Sequence, residues 1–268
     1  MQGKKLAFLK AILFFLIICL ITFLGLSVFV PRPKNIKQVE TPQRTIEYAA
    51  IGDSITRGIG DTNKNEGFVG ALKDRVETED HLIVKTHNFG YTGKTSSQIK
   101  KRIFSDSNLR KSVVDSKLIT LDMGGNDMIY TIQNNFFKLE KKEFIPKAQL
   151  FKKNMTESLK ELRRLNPKAN IIVIGIYNPF YLYFNDIKDL NNLFEEWNNI
   201  IVEIVHKNPK TFYQDTNNFI NSKSAKKTVD GKIINRYLSK SDDVHPNGLG
   251  YSLIANELFN LIKKYKLI

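Results

Sequence analysis

The 268-residue sequence predicts an α/β domain, a parallel sheet covered by helices on both faces. Short apolar runs alternate along the chain with longer segments whose apolar residues recur at helical spacing. No internal repeat or low-complexity block interrupts that alternation, so residues 45–268 read as one domain.

The elements follow in order. Ile46 to Ile51 is a buried strand that breaks at Gly52. Phe68, Val69, Leu72 and Val76 make residues 66–79 an amphipathic helix, and residues 82–89 form the second strand. Residues 96–104 read as a helix, with a further short helix around Val113 and Val114. Leu118 to Met123 is the third strand, stopping at Gly124-Gly125. A long charged stretch follows, best helical over residues 148–165 and ended by Asn166-Pro167. Asn170 to Tyr177 is the clearest buried strand. Leu190, Leu193, Phe194, Trp197, Ile201 and Ile204 then mark a helix face. Thr211 to Gln214 is a short fifth strand, and Tyr251, Ile254, Leu258, Ile262 and Tyr265 define the closing helix.

The start of the chain is a different kind of segment. Lys4, Lys5 and Lys10 lie in a basic tail, residues 1–10, ahead of residues 11–30, which hold no charge. A helix of that length spans about 30 Å, enough for a bilayer core. No Ala-x-Ala pattern follows, so the run reads as a transmembrane anchor rather than a signal peptide. The lysines keep the tail cytoplasmic and place the domain outside, secreted if the segment is cleaved. Pro31, Pro33 and Pro42 make residues 31–44 a stiff linker.

Charge and cysteine content narrow the field. The net charge is +14, of which the tail lysines supply three, so the rest carries +11. Such a surface favours anionic polymers or lipid headgroups. The lysines are scattered rather than striped with aromatics, which argues against nucleic acid. Cys19 is the lone cysteine, so no internal disulfide forms, and no His-Glu-x-x-His or Cys-x-x-Cys pattern offers a metal site. No cofactor is expected.

In a parallel sheet the strand tips converge on one edge. Those tips carry Gly52-Asp53-Ser54, Asn88-Phe89-Gly90 and Gly124-Gly125-Asn126-Asp127, and Asp242-Asp243-Val244-His245 forms a polar turn before the last helix. Ser54 is a candidate nucleophile, and its neutral hydroxyl needs a base. His245 suits that role, and Asp242, three residues earlier, reaches its far ring nitrogen. Asp243 is the rival carboxylate. Backbone N–H groups at Ser54 and Gly90 and the Asn126 amide are candidate oxyanion donors. Asn126 is also a candidate N-cap of a following helix, which does not exclude the oxyanion role.

Taken in order, these four blocks resemble the SGNH family, also called GDSL esterases and lipases. The resemblance spans residues 52–246, with Ile55 where the family name puts leucine. It implies a flavodoxin-like sheet of about five parallel strands. It also implies metal-free hydrolysis of lipid, small-acyl or acetylated-sugar esters, with Ser54, Gly90, Asn126 and His245 as the named positions and Asp242 completing the triad. The rival from another class is a non-catalytic binding module for acylated wall polymers or lipids.

Two further segments draw attention. Gly93-Lys94-Thr95 looks like a phosphate loop, but Asn88 stands where that motif needs a glycine. The aromatic loop at residues 178–184, with Phe180, Tyr181, Tyr183 and Phe184, either walls an acyl cleft or caps the core.

Overall fold

The computed structural model describes residues 10, 12–22, 44–134, 141–183 and 188–268. Its contacts divide the chain into two units, Met1–Pro42 and Gln43–Ile268. In the first, residues 12–22 are helical, and among the described residues no helix is long and apolar enough to cross a membrane. The expected anchor, residues 11–30, lies partly outside the described residues.

The second unit begins with β1 (Thr45–Gly52), a one-turn helix α1 (Ser54–Arg57), α2 (Phe68–Asp80) and β2 (Ile83–Gly90). Then come α3 (Ser96–Ser105), α4 (Ser107–Asp115), β3 (Leu118–Asp122), α5 (Gly125–Asn134) and α6 (Lys141–Leu165). The rest is β4 (Asn170–Ile174), α7 (Lys188–His206), β5 (Thr211–Gln214), α8 (Asn217–Ile220), β6 (Lys226–Val229), β7 (Lys232–Asn235) and α9 (Gly248–Tyr265).

The five long-range strands pair in parallel in the order β2-β1-β3-β4-β5. This is the flavodoxin-like arrangement, whose crossover reverses between β1 and β3 and opens a crevice beyond their carboxyl ends. The central strands β1, β3 and β4 are mostly buried on both faces, which is why they read as apolar runs rather than alternating ones. One core lies on the face where Ala49, Ile51, Ile119, Leu121, Ile171 and Val173 meet α3 to α7, with Phe151 stacked on Trp197 at 4.9 Å. The other lies where Ile46, Tyr48, Ala50, Ile172 and Ile174 meet α2 and α9.

Several boundaries depart from the sequence expectation. β4 stops at Ile174, because the Gly175 N–H makes its last pairing bond, 2.8 Å to Gln214 O, and β5 ends there. Residues 175–177 therefore follow the strand as irregular chain instead of extending it. α6 starts at Lys141, earlier than expected, and carries Pro146 within it. The β6-β7 hairpin was not expected at all.

Candidate active site

The chemistry gathers where the crevice opens. β1 ends at Gly52, and Ser54 is the first residue of α1. Asp53 caps that turn by accepting the Ile55 N–H at 2.9 Å. A four-residue helix has no apolar period to read, so sequence patterning could not see it. Gly52 is dictated by packing: a Cβ there would fall 2.2 Å from Thr56 Oγ1 and 2.7 Å from Asp122 O.

The turn before α9 brings the candidate base. Ser54 Oγ lies 2.9 Å from His245 Nε2, and His245 Nδ1 lies 2.6 Å from Asp242 Oδ2. Asp242 Oδ1 accepts the N–H groups of Val244 and His245 at 2.9 and 3.0 Å. Those bonds and the imidazole hold the Asp242 carboxyl below its ordinary range despite partial burial, which acts the other way. Asp243, the rival, has a left-handed backbone (φ 52°), and its carboxylate meets the Tyr183 hydroxyl instead. Two outer bonds steady the turn: Tyr177 Oη donates to Val244 O at 2.5 Å, and Asn247 caps α9.

The oxyanion candidates part company. The Ser54 N–H, at the first position of α1, has no helical acceptor. Asn126 sits inside the first turn of α5, after Gly124 and Gly125, so it is not that helix's N-cap. Its amide donates to Asp53 Oδ2 and to Lys94 O, both at 3.1 Å. The Gly90 N–H donates to Asn88 Oδ1 at 2.9 Å. Gly90 is required for closeness, since a Cβ would fall 2.2 Å from Arg57 N, against the helix that carries Ser54.

The Gly93-Lys94-Thr95 segment is bonded within the protein. Lys94 O takes the Asn126 amide, Gly93 O takes the Tyr130 hydroxyl at 3.2 Å, and Thr95 forms a capping box with Gln98 on α3.

A cavity of about 280 Å³ opens beside Ser54, His245 and Asn126. Its apolar wall includes Ile55, Ile129, Ile176, Pro179 and Val244. From the aromatic loop it takes Pro179; Phe180, Tyr181 and Tyr183 do not line it, and Phe180 packs against the core. Phe184 lies outside the described residues.

Beneath Ser54 are two residues that motif reading does not count as site members, Asp53 and Asp122, each 3% exposed. The two carboxyls are close enough to act on one another, and Thr56 Oγ1 donates to Asp122 Oδ2 at 3.1 Å. Burial raises both, Asp53 the more strongly because the Asp122 charge adds to it. The signal was an aspartate closing the otherwise apolar strand Leu118-Ile-Thr-Leu-Asp122.

The family model for GDSL-like Lipase/Acylhydrolase matches residues 48–258. The uncharacterized protein YpmR of Bacillus subtilis (strain 168) is 29% identical over 220 residues, 82% of either chain. The spore germination lipase LipC of Bacillus licheniformis is 26% identical over 142 residues, 51% of this chain and 66% of that one. Among solved structures, the lipase Lip_vut3 from a goat rumen metagenome superposes with a TM-score of 0.68 at 22% identity, covering 80% of this chain and 96% of its own. Axe2, an acetylxylan esterase from Geobacillus stearothermophilus, gives 0.59 at 17% identity over 81% and 94%. At these identities the structural likeness speaks for the fold alone.

Proposed function

The chain belongs to the GDSL-like lipase/acylhydrolase family and is a serine ester hydrolase; from that premise we propose that it works through an acyl-enzyme on Ser54. The observation that carries the reading is the hydrogen-bonded run Ser54–His245–Asp242, assembled across 191 residues of sequence.

Ser54 Oγ attacks the ester carbonyl as His245 Nε2 takes its proton, and Asp242 holds the other ring N–H and stabilises the imidazolium. The carbonyl oxygen becomes an oxyanion in front of the Ser54 N–H and the Asn126 amide, each such donor supporting about 10²–10³ in rate. The Gly90 N–H joins them only by giving up Asn88. As the intermediate collapses, His245 returns the proton to the departing alcohol. Water, deprotonated by His245, then releases the acid and restores Ser54.

The apolar wall at Ile129, Ile176, Pro179 and Val244 suits an acyl group, and a net charge of +14 suits anionic surroundings. The relatives include a lipase and an acetylxylan esterase, so acyl lipids and acetylated glycans are the classes to compare. The charge-free run at residues 11–30, with lysines before it, supports a single-pass anchor and an outward-facing domain. Resistance of the full chain to alkaline extraction from membranes tests that placement; release into the soluble fraction counts against it.

A panel of p-nitrophenyl esters, acetyl sugars and lysophospholipids tests the function. Turnover of at least one class, abolished in a folded Ser54→Ala variant, is expected. Binding of acylated polymers without turnover would favour the non-catalytic alternative.

A further inference from the structure

The acyl-enzyme chemistry makes no use of the β6-β7 hairpin, although its surroundings are strongly charged. Residues 223–240 carry Lys223, Lys226, Lys227, Lys232, Arg236 and Lys240 against a single carboxylate, Asp230. All six cations are exposed, and among the described residues none meets a carboxylate. Elsewhere lysines do find one, as Lys100 finds Glu157 at 2.8 Å and Lys152 finds Glu203 at 2.7 Å. Pairing across the hairpin sets Lys227 opposite Ile234 and Val229 opposite Lys232, so one face alternates cation and aliphatic. On the other face Ile233, opposite Thr228, is 58% exposed. Lysines on a free strand edge serve to stop other strands from adding, but an exposed isoleucine among them works against that.

The hairpin is fastened to the sheet edge that carries Ser54. Thr216, which lines the cavity and donates to Gly175 O at 2.6 Å, leads into α8. The Asn235 amide of β7 donates to Ile220 O, at the end of α8, at 2.9 Å. Beyond β7 the Ser239 N–H donates to His245 O at 2.7 Å, and Asn247 Nδ2 donates to Arg236 O and Leu238 O at 2.8 Å each. A broad surface seated on the hairpin is thereby held at the edge where the cavity opens. That edge also exposes Tyr130, which lines the cavity, and Tyr183, beside Asp243. Tyrosine, with an apolar ring and a wet end, suits a lipid–water interface.

We propose that the β6-β7 hairpin docks on an anionic lipid bilayer and sets the Ser54 cavity against it. Resting on the acyl-enzyme reading, this makes lipid acyl esters the substrate class. The unpaired cations complement the charge of the headgroups. The aliphatic residues select a bilayer over other polyanions, because Ile233, Val229 and Ile234 gain by entering the headgroup boundary and gain nothing from a dissolved polyphosphate. Residues 223–236 hold no aromatic side chain on which a nucleic-acid base would stack.

The test places a nitrobenzoxadiazole dye, whose emission reports its surroundings, on the full chain at Ile233→Cys, with Cys19→Ser removing the native thiol. Vesicles of phosphatidylcholine alone are compared with vesicles that also hold phosphatidylglycerol. The expected result is a blue shift on the anionic vesicles only, lost in high salt. The shift should be absent when the dye sits instead at Lys168→Cys, an exposed position ahead of β4 at the opposite edge of the sheet. Lys227→Gln with Lys232→Gln should lower the ratio of docked to undocked protein about 25-fold, roughly fivefold for each lysine. Turnover of an ester carried in the anionic vesicles, relative to a soluble ester, should fall with it; docking lost without that fall would overturn the substrate class. No blue shift at Ile233→Cys, an equal shift on neutral vesicles or at Lys168→Cys, or indifference to salt and to both lysines would overturn the docking itself. So would a shift with soluble polyphosphate but not with vesicles. The dye readings need no catalysis, so an absence of ester turnover in the unaltered chain would defeat the esterase reading and not the docking.

Discussion

Replacing Asp242 by asparagine changes one atom of the proposed triad, and the structure dictates where that atom goes. Asp242 Oδ1 accepts two backbone N–H groups, from Val244 and His245, at 2.9 and 3.0 Å. Only an oxygen can satisfy both, so the asparagine carbonyl takes that place and its NH₂ falls at the Oδ2 position, 2.6 Å from His245 Nδ1. An NH₂ group can only donate. Nδ1 must then be the unprotonated nitrogen, and the ring proton moves to Nε2, which faces Ser54 Oγ at 2.9 Å. The base now points a hydrogen at the group it should deprotonate. The same tautomer error in a serine protease lowers kcat about 10⁴-fold, which at 1.36 kcal/mol per tenfold is about 5 kcal/mol of transition-state stabilisation.

The assay is kcat and KM on a chromogenic ester, with circular dichroism to confirm the fold. KM should move little. Asp243→Asn is the control: its carboxylate meets Tyr183, and asparagine tolerates the left-handed backbone, so kcat should stay within about threefold. An Asp242→Asn variant that keeps more than about a tenth of the activity would refute the tautomer argument. So would a loss that appears only at Asp243.

Three further outcomes follow from packing and charge. Gly90→Ala should lower both activity and stability, by about 1–3 kcal/mol, because its Cβ falls 2.2 Å from Arg57 N and pushes on the turn that carries Ser54. Wild-type kinetics and melting would contradict that close approach. Asn166→Ala removes a buried side chain whose Nδ2 donates to Val113 O, Val114 O and Ser116 O, and whose Oδ1 accepts the N–H groups of Lys168 and Ala169. A loss of about 3 kcal/mol is expected, seen as a Tm lower by roughly 6–12 °C; a shift under about 2 °C would show that water replaces those bonds. Arg164 first and Arg110 second hold the Glu161 carboxyl down to about 2 from its ordinary 4.5. Its folded-state value is depressed, so its contribution is present above about pH 4.5 and lost as pH falls toward 2. The Tm difference between wild type and Glu161→Gln should therefore be widest near neutrality and close toward pH 2; a difference constant with pH contradicts the pairing.

Much of the molecule was legible because buried parallel strands advertise themselves as apolar runs. The five strands of the sheet were found, including the weak Thr211–Gln214, whose bounds match. The site blocks were legible for a related reason: parallel strand tips share an edge, so Ser54, Asn126 and the Asp242–His245 turn had to be neighbours if the fold was right. What escaped was what has no period. The α1 turn is too short to show one, and Asp122 at the end of a buried strand passes for a solvated terminus until its neighbours are known. Nothing in the sequence shows that the Gly90 N–H, a candidate oxyanion donor, is taken by Asn88 two residues earlier. The hairpin was readable and missed: Asp230-Gly231, with φ of 50° and 75°, is the two-residue turn that joins β6 to β7. In the aromatic loop, hydrophobicity could not say whether Phe180 served cleft or core, since both reward the same surface.

The central claim is that Ser54 is the nucleophile, activated by His245. Intact-mass and peptide mass spectrometry after exposure to a fluorophosphonate tests it most directly. The account predicts a single phosphonyl adduct on Ser54, absent in Ser54→Ala and formed far more slowly in His245→Ala. Labelling that persists without Ser54, or that maps to another serine, would contradict it.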